Sequence, residues 1–213
     1  MEKTAGFRTV KAPASVELVI NKSRFIGQCF PISSEEEALE QLSTLRKRYW
    51  DATHNCYAYS VGEQGEIARF SDDGEPGGTA GMPMLEVLRH EGLVDVCCVV
   101  TRYFGGILLG TGGLVRAYTE GTKVAVAAAG VQRMSLYSVL LITCGYNQLG
   151  TLQQLLPRYD CQIEETDYGA DVTLTVTQPA GRLDELNAAL AEATAGTVAA
   201  EEIETKFMGR REK

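Results

Sequence analysis

The chain has 213 residues, which is enough for two ordinary domains or one large one. Its hydrophobic fraction of 45% and its charged fraction of 23% are typical of a soluble globular protein. It contains no apolar run of the roughly 18–20 residues that a membrane-spanning helix needs, and its N-terminus lacks the apolar region of a signal peptide. We therefore expect a cytoplasmic protein with no membrane partner.

The net charge of −8 is unevenly distributed along the chain. Residues 1–133 carry 14 Lys and Arg against 16 Asp and Glu, a net charge of −2, whereas residues 134–213 carry 6 against 12, a net charge of −6. Nucleic acid repels an acidic protein unless the basic groups of that protein are clustered on one face. The composition therefore argues against tight, non-specific DNA binding.

The cysteines show no CxxC spacing, and most of them lie in apolar patterns typical of strands. This pattern favours buried, reduced thiols over a zinc site, and we expect no cofactor. Two adjacent cysteines in a strand should point to opposite faces of its sheet. The six cysteines are Cys29, Cys56, Cys97, Cys98, Cys144 and Cys161.

Strand and helix patterns alternate in the first part of the chain. Residues 21–23 interrupt two strand patterns and predict a hairpin turn. Ser34 begins a helix with a capping-box pattern, and Thr79 is the predicted cap of a helix that ends near His90. The apolar stretch Leu93–Tyr103 predicts a buried central strand. The other predicted elements are strands over residues 6–12, 15–31, 54–60 and 67–71 and helices over residues 34–49 and 110–129.

The pattern changes after Gly130. Strand patterns over residues 136–145, 161–166, 171–177 and 197–207 alternate with two short helix patterns in the order β-α-β-β-α-β. This is the ferredoxin-like arrangement of two helices on an antiparallel sheet. The predicted fold class is therefore α+β with two domains, which cover residues 1–133 and 134–213.

Ten of the 22 glycines lie between Gly74 and Gly113. Glycine weakens regular structure, so this density indicates positive φ angles or a close approach of the backbone to another group. Backbone N–H groups between the central strand and the next helix could bind an anion or RNA phosphates, or the glycines could serve backbone geometry alone. The spacing fits neither a Walker A nor a Rossmann motif. The candidate anion- or RNA-binding residues are Arg102, Gly105, Gly106, Gly110, Thr111, Gly112, Gly113 and Arg116.

Three carboxylates, Asp72, Asp73 and Glu75, lie within four residues. Asp73 and Glu75 could hold Mg²⁺ beside a phosphate, although these residue types are also ordinary in turns. His54 could be a general base or a hydrogen-bonded structural histidine, and no nucleophile motif accompanies it. The loops of residues 72–78 and 105–113 each join a strand to a helix, so we expect them to line one groove that includes these four residues.

The stretches SDDGEPGGTAGMPML and VVTRYFGGILLGTGGLVRAY closely resemble the two signature segments of the IMPACT family, in its bacterial branch. The resemblance covers about residues 15–130, and the C-terminal part is similar to the small second domain of bacterial members. It implies an N-terminal fold like the second domain of ribosomal protein S5, in a superfamily that includes sugar-kinase-like phosphotransferases. It also implies a C-terminal domain similar to the last domain of elongation factor G. Eukaryotic relatives regulate translation by binding proteins.

Three functions are compatible with these features. The first is a non-enzymatic binding protein related to translation that contacts RNA or a ribosome-associated partner through its glycine-rich loops. The second is a phosphate-ester or phosphotransfer enzyme that takes a small-molecule phosphate, although the chain lacks a recognisable nucleotide motif. The third is a protein-only translational regulator in which the glycines are structural. The sequence does not indicate the oligomeric state.

Overall fold

The computed structural model describes residues 6–210, so the ends of the two predicted domains, residues 1–5 and 211–213, lie outside the described residues. The strands are β1 Gly6–Val10, β2 Ala14–Ile20, β3 Ser23–Pro31, β4 His54–Val61, β5 Ile67–Ser71, β6 Val96–Tyr103, β7 Val131–Cys144, β8 Gln162–Tyr168, β9 Val172–Pro179 and β10 Ala200–Arg210. The helices are α1 Glu35–Arg48, α2 Gly81–His90, α3 Gly110–Ala129, α4 Tyr146–Leu155 and α5 Leu183–Thr194, with a short 3₁₀ helix over Leu156–Tyr159.

The chain has a mixed α+β fold with two compact units, and this confirms the predicted fold class. Residues Phe7–Arg133 form the first unit, and Met134–Gly209 together with Gly6 form the second. The first unit contains a five-stranded antiparallel sheet in the order β2-β3-β6-β4-β5. The apolar strand β6 lies at its centre, as predicted. It begins at Val96 rather than Leu93, because Asp95 has a φ of 51° and leaves the extended conformation.

Several connecting segments meet at one end of this sheet, which we call the groove end. The hairpin turn between β2 and β3 consists of Asn21 and Lys22, whose φ values of 46° and 63° are those of a type I′ turn. The register pairs Arg24 with Tyr103 and His54 with Arg102. The β2–β3 turn, the start of β4 and the end of β6 therefore lie at the same end of the sheet, where the chain enters the second glycine-rich loop.

Both faces of the sheet are covered. Helices α2 and α3 contribute to the core cluster on one face, and α1 contributes to the cluster on the other. Cys98 belongs to the first cluster and Cys97 to the second, so the two side chains point to opposite faces as expected. All six cysteines are free and buried.

We expect thiol reagents to leave Cys97 and Cys98 unmodified in the native protein. Both side chains are fully buried, and burial raises the pKa of Cys97 well above the range of an ordinary thiol. The reactive thiolate is therefore scarce as well as inaccessible at neutral pH. Labelling with a maleimide followed by peptide mass spectrometry should show both residues modified only after denaturation. Fast labelling of both in the native state would contradict the central position of β6.

The second unit follows the predicted order β-α-β-β-α-β, as β7, α4, β8, β9, α5 and β10. Strand β9 pairs with β7 on one side and β8 on the other, both antiparallel, and β10 also pairs with β7. The last strand begins at Ala200 rather than at the predicted Thr197. The core of the second unit contains the inward side chains of β7, β9 and the two helices, such as Leu140, Leu174 and Leu186. The likenesses to ribosomal protein S5 and elongation factor G stay predictions.

Candidate functional site

A groove with a volume of about 460 Å³ opens at the groove end of the first sheet, where the β2–β3 turn, the start of β4 and the end of β6 lie. Residues of both glycine-rich loops line it, so the structure brings the two loops together as the sequence predicted. Seven of the predicted site residues are not among the lining residues: Asp72, Asp73, Gly105, Gly106, Gly112, Gly113 and Arg116. The lining residues are Thr53, His54, Gly74, Glu75, Pro76, Arg102, Phe104, Leu108, Leu109, Gly110, Thr111 and Leu114.

Asp72 caps helix α2. Its Oδ1 accepts hydrogen bonds from the backbone N–H of Ala80 (3.0 Å) and Gly81 (2.8 Å), and its Oδ2 accepts one from Gly78 (2.8 Å). The prediction that Thr79 caps this helix is wrong, because the Thr79 hydroxyl instead donates to the carbonyl of Pro76. Asp72 lies nine residues before Gly81 in the sequence, yet its carboxylate accepts the hydrogen bonds of the backbone N–H groups at the start of the helix.

We expect Asp72→Ala to lower the free energy of unfolding by about 1–2 kcal/mol at pH 7, the upper part of the range for a lost cap. Burial alone would raise the pKa of Asp72, but the N–H groups of Gly78, Gly81 and Ala80 outweigh it and lower the pKa below the ordinary 3.8. The carboxylate therefore stabilises the fold fully above about pH 4, and this contribution is lost as the pH falls through the lower folded pKa.

Urea unfolding of the wild type and of Asp72→Ala at pH 7 and in acid would measure this effect. The stability difference between the two proteins should shrink in acid. Asp72→Asn is the matched control. Its side-chain oxygen can still accept from Ala80 and Gly81, but its amino group cannot accept the hydrogen bond from the Gly78 N–H. It should therefore lose less stability than the alanine variant. If Asp72→Ala lost the same stability in acid as at pH 7, the charge of the carboxylate would not be the cause of the effect.

Asp73 orients His54. The Asp73 carboxylate accepts from the N–H of Asn55 at 2.6 Å, and its carbonyl lies 2.8 Å from His54 Nδ1. A carbonyl oxygen can only accept, so Nδ1 carries the proton and the neutral ring presents Nε2 as an acceptor. His54 Nε2 lies 3.8 Å from Glu75 Oε2, beyond hydrogen-bond distance. The histidine is therefore held in one tautomer, with its free nitrogen at the floor of the groove.

Glu75 forms a buried ion pair with Arg102. The carboxylate atom Oε1 accepts from Arg102 Nη1 at 2.6 Å and from the Tyr118 hydroxyl at 2.7 Å. The side chains of Glu75 and Arg102 are only 3% and 6% exposed. Arg102 is therefore not a free surface cation, although its Nε has no hydrogen-bond partner among the described residues. The second carboxylate atom, Oε2, faces His54.

Two residues of this network were not predicted from the sequence. Tyr118 and Cys56 are buried, and the Cys56 thiol donates to the carbonyl of Asp72 at 3.0 Å. Burial, with the charges and hydrogen bonds of Cys56 and Glu75, raises the pKa of Tyr118 far above its ordinary value, while burial raises the pKa of Cys56 to about 12. Both therefore stay protonated hydrogen-bond donors. The one sequence feature that could have indicated this network is the position of Tyr118, a residue with a polar hydroxyl, on the apolar stripe of α3.

Aromatic rings enclose the Arg102 guanidinium. Its central carbon lies 5.4 Å from the Phe25 ring centroid and 5.5 Å from that of Phe104, within the range of cation–π attraction. Phe25 is fully buried, whereas Phe104 is 46% exposed. The guanidinium thus holds Phe104 at the groove with part of its ring open to solvent. Ile107 and Leu108, next in the loop, are exposed as well.

The glycines of the second loop have different roles. A Cβ at Gly105 would lie 2.0 Å from backbone atoms of Lys22, so this residue lets the loop pack against the β2–β3 turn. A Cβ at Gly112 would meet only the end of the Arg116 side chain, at 3.9 Å, and its φ needs no glycine. Backbone geometry therefore explains Gly105 but not Gly112. Among residues 6–210, no side chain caps the start of α3, which lies at the groove through Gly110 and Thr111.

Comparison with known proteins identifies the family. Residues 21–126 match the model of the Impact N-terminal domain, and residues 142–197 match a domain of unknown function, DUF1949. The IMPACT family member YigZ of Escherichia coli K12 is 40% identical over 189 residues, which cover 88% of this chain and 93% of that protein. This chain belongs to the IMPACT family. The resemblance of its two signature segments is thereby confirmed.

Other relatives agree with this IMPACT family assignment. The member YvyE of Bacillus subtilis is 44% identical over 164 residues, 77% of this chain and 76% of that protein. A Protein IMPACT homolog of Dictyostelium discoideum is 45% identical over 94 residues, 42% of this chain and 26% of its own length. A crystal structure of a hypothetical protein has 38% identity and a TM-score of 0.61, with coverage of 95% of this chain and 99% of the other.

Five of the exposed basic residues of this IMPACT domain lie at the end of the sheet where the groove opens, although none of the five lines it. Lys22 lies in the β2–β3 turn, and the basic triplet Arg46–Arg48 ends α1, where Arg46 is 3.4 Å from Asp73. Arg116 lines a neighbouring depression together with Asn21 and Leu109. These five basic side chains share the end of the sheet with the exposed Trp50, which is 82% exposed. The chain is acidic as a whole, and this end carries five exposed basic side chains and an exposed tryptophan beside the acidic residues Asp51 and Glu120.

A metal site is not supported by the geometry. Asp73 and Glu75 bond to backbone and to Arg102, and no group of three or more His, Cys, Asp or Glu within residues 6–210 could hold a metal ion. Within the same range, none of the helices has the length and apolar character needed to cross a membrane.

Proposed function

We propose that this chain is a non-enzymatic, translation-related binding protein that holds RNA at the groove end of its first unit, in the cytoplasm. The observation that carries the proposal is the presence of five exposed basic residues and the exposed aromatic residues Trp50 and Phe104 at the end of the sheet where the groove opens, in an otherwise acidic protein. Basic side chains attract phosphates, and exposed aromatic rings stack on bases. The relation to eukaryotic IMPACT proteins supports the link to translation.

The start of α3 has a defined part in this proposal. The helix is 20 residues long, none of the side chains that the structure describes caps its N-terminus, and its residues Gly110 and Thr111 line the groove. Backbone N–H groups in such a position attract a phosphate. Arg116 lies one turn further along the same helix and can contact the next phosphate of a strand. Arg102 acts differently, because Glu75 neutralises it, and it serves to hold Phe104.

Trp50, the single tryptophan of the chain, provides the measurement. We expect a short single-stranded RNA of mixed sequence to change its fluorescence, and we expect the affinity to fall steeply between about 50 and 200 mM salt. Lys47→Glu should weaken binding and reduce the salt slope by at least about one. Arg158→Glu makes the same charge change at an exposed site of the second unit and should have little effect.

Gly112→Val tests the backbone contact. A Cβ at this position meets almost nothing in the protein, so thermal unfolding should change little, but it would stand between the helix N-terminus and a phosphate. We expect RNA binding to be abolished by Gly112→Val, and Arg116→Ala should weaken it by roughly 1.5–3 kcal/mol. RNA binding that is unaffected by Lys47→Glu, Gly112→Val and Arg116→Ala would overturn the proposal.

A second candidate function is protein binding, as in the protein-only regulator. It is favoured by Leu108, which is 86% exposed beside the exposed Ile107. An apolar loop tip of this kind commonly anchors a protein partner. Binding that survives high salt and is lost in Leu108→Asp would favour it over RNA. ATP turnover by the purified protein would instead identify the phosphotransfer alternative.

A further inference from the structure

The groove has the character of a ligand pocket. Its volume of about 460 Å³ falls within the roughly 300–1,000 Å³ of small-molecule sites. Apolar side chains such as Pro76, Phe104 and Leu114 form walls around a polar floor of His54, Glu75 and Arg102. A flat ring with polar edges fits a pocket with apolar walls and a few convergent polar groups.

The floor of the groove is rich in acceptors. Glu75 uses Oε1 for Arg102 and Tyr118, and its Oε2 faces His54. His54 donates its Nδ1 proton to the Asp73 carbonyl, so its Nε2 is an acceptor in the neutral ring. The two acceptor atoms lie 3.8 Å apart, and neither carries a hydrogen that it could donate to the other. One amino nitrogen with two hydrogens can donate to both at about 2.9 Å.

We propose that the groove binds an RNA base that carries an exocyclic amino group, with Glu75 Oε2 and His54 Nε2 accepting its two hydrogens and Phe104 in contact with its ring. This inference rests on the proposed RNA-binding function and names its base preference. Cytosine carries the amino group at C4, where uracil carries an oxygen. An oxygen at that position would face two acceptors without a hydrogen between them, which is a costly arrangement in a buried site.

Oligocytidine and oligouridine of equal length provide the test, because they carry the same phosphates and differ at this group. Binding is followed at pH 8 by Trp50 fluorescence or by the anisotropy of a labelled oligonucleotide. We expect oligocytidine to bind about tenfold more tightly, within the discrimination usual for a pair of base contacts. His54→Ala should reduce this ratio toward one.

The controls separate the base preference from the fold. His90, the other histidine of the chain, is 89% exposed at its side chain, so His90→Ala should keep the tenfold ratio. Glu75→Gln replaces one acceptor by a donor and should abolish or reverse the preference, provided that circular dichroism shows a folded protein. If Glu75→Gln does not fold, the ratio of oligocytidine to oligouridine affinity in His54→Ala decides whether the base is read at this site.

Three results would overturn the inference. Equal, salt-dependent binding of both oligonucleotides would reject the amino-group site while the proposed RNA-binding function stands. A cytosine preference that persists in His54→Ala and in folded Glu75→Gln would show that the base is read elsewhere. Failure of both oligonucleotides to bind would reject both proposals and leave the groove to a protein segment.

Discussion

Glu75→Ala is expected to lower the free energy of unfolding by about 3–5 kcal/mol. The alanine removes the partner of Arg102, whose side chain is 6% exposed, and leaves its charge without compensation in the core. It also removes the acceptor of the buried Tyr118 hydroxyl. Chemical denaturation at pH 7 would measure the loss, and most of it reflects the buried charge left behind rather than the strength of the ion pair.

The control for this prediction is an exposed ion pair. Glu86 lies 2.9 Å from Arg89, and both side chains are more than half exposed. Glu86→Ala should therefore change the stability by no more than about 1 kcal/mol. A double replacement, Glu75→Leu with Arg102→Met, should recover most of the stability lost in Glu75→Ala because no buried charge remains. A mild effect of Glu75→Ala, equal to that of Glu86→Ala, would show that the pair is not buried in solution.

The second large effect is expected for Gly27→Val. Gly27 lies in β3 where α3 crosses the sheet, and a Cβ there would lie 2.2 Å from the backbone oxygen of Gly121. Valine would therefore force the helix away from the sheet and open the core around Phe25 and Tyr118. We expect a loss of about 3 kcal/mol, at the upper end of typical overpacking effects.

Thermal or chemical unfolding would compare Gly27→Val with Gly77→Val. A Cβ at Gly77 meets nothing within 4 Å, so this variant makes the same chemical change in open space and should be close to neutral. If both variants lost the same stability, the close contact between β3 and α3 would not be the cause. If neither lost stability, the helix would have to move at little cost, contrary to the packing of this face.

Local patterns predicted the parts of the fold that depend on neighbouring residues. The two-residue turn at Asn21 and Lys22 follows from a polar break between strand patterns. The opposite placement of Cys97 and Cys98 follows from the alternation of a strand. The order β-α-β-β-α-β of the second unit follows from the same periodicities. Errors appeared at element ends, such as Asp95 before β6, where a single positive φ ends the strand pattern.

The sequence by itself determined the central apolar strand, the glycine-rich segments on either side of it and the family to which the chain belongs. The tertiary structure decided what the polar residues of those segments do. Glu75 finds Arg102 27 residues away and Tyr118 43 residues away, and no local pattern encodes such partners. The sequence therefore did not show that burial pairs Arg102 with Glu75, or that the half-buried Asp72 accepts hydrogen bonds from the start of a helix.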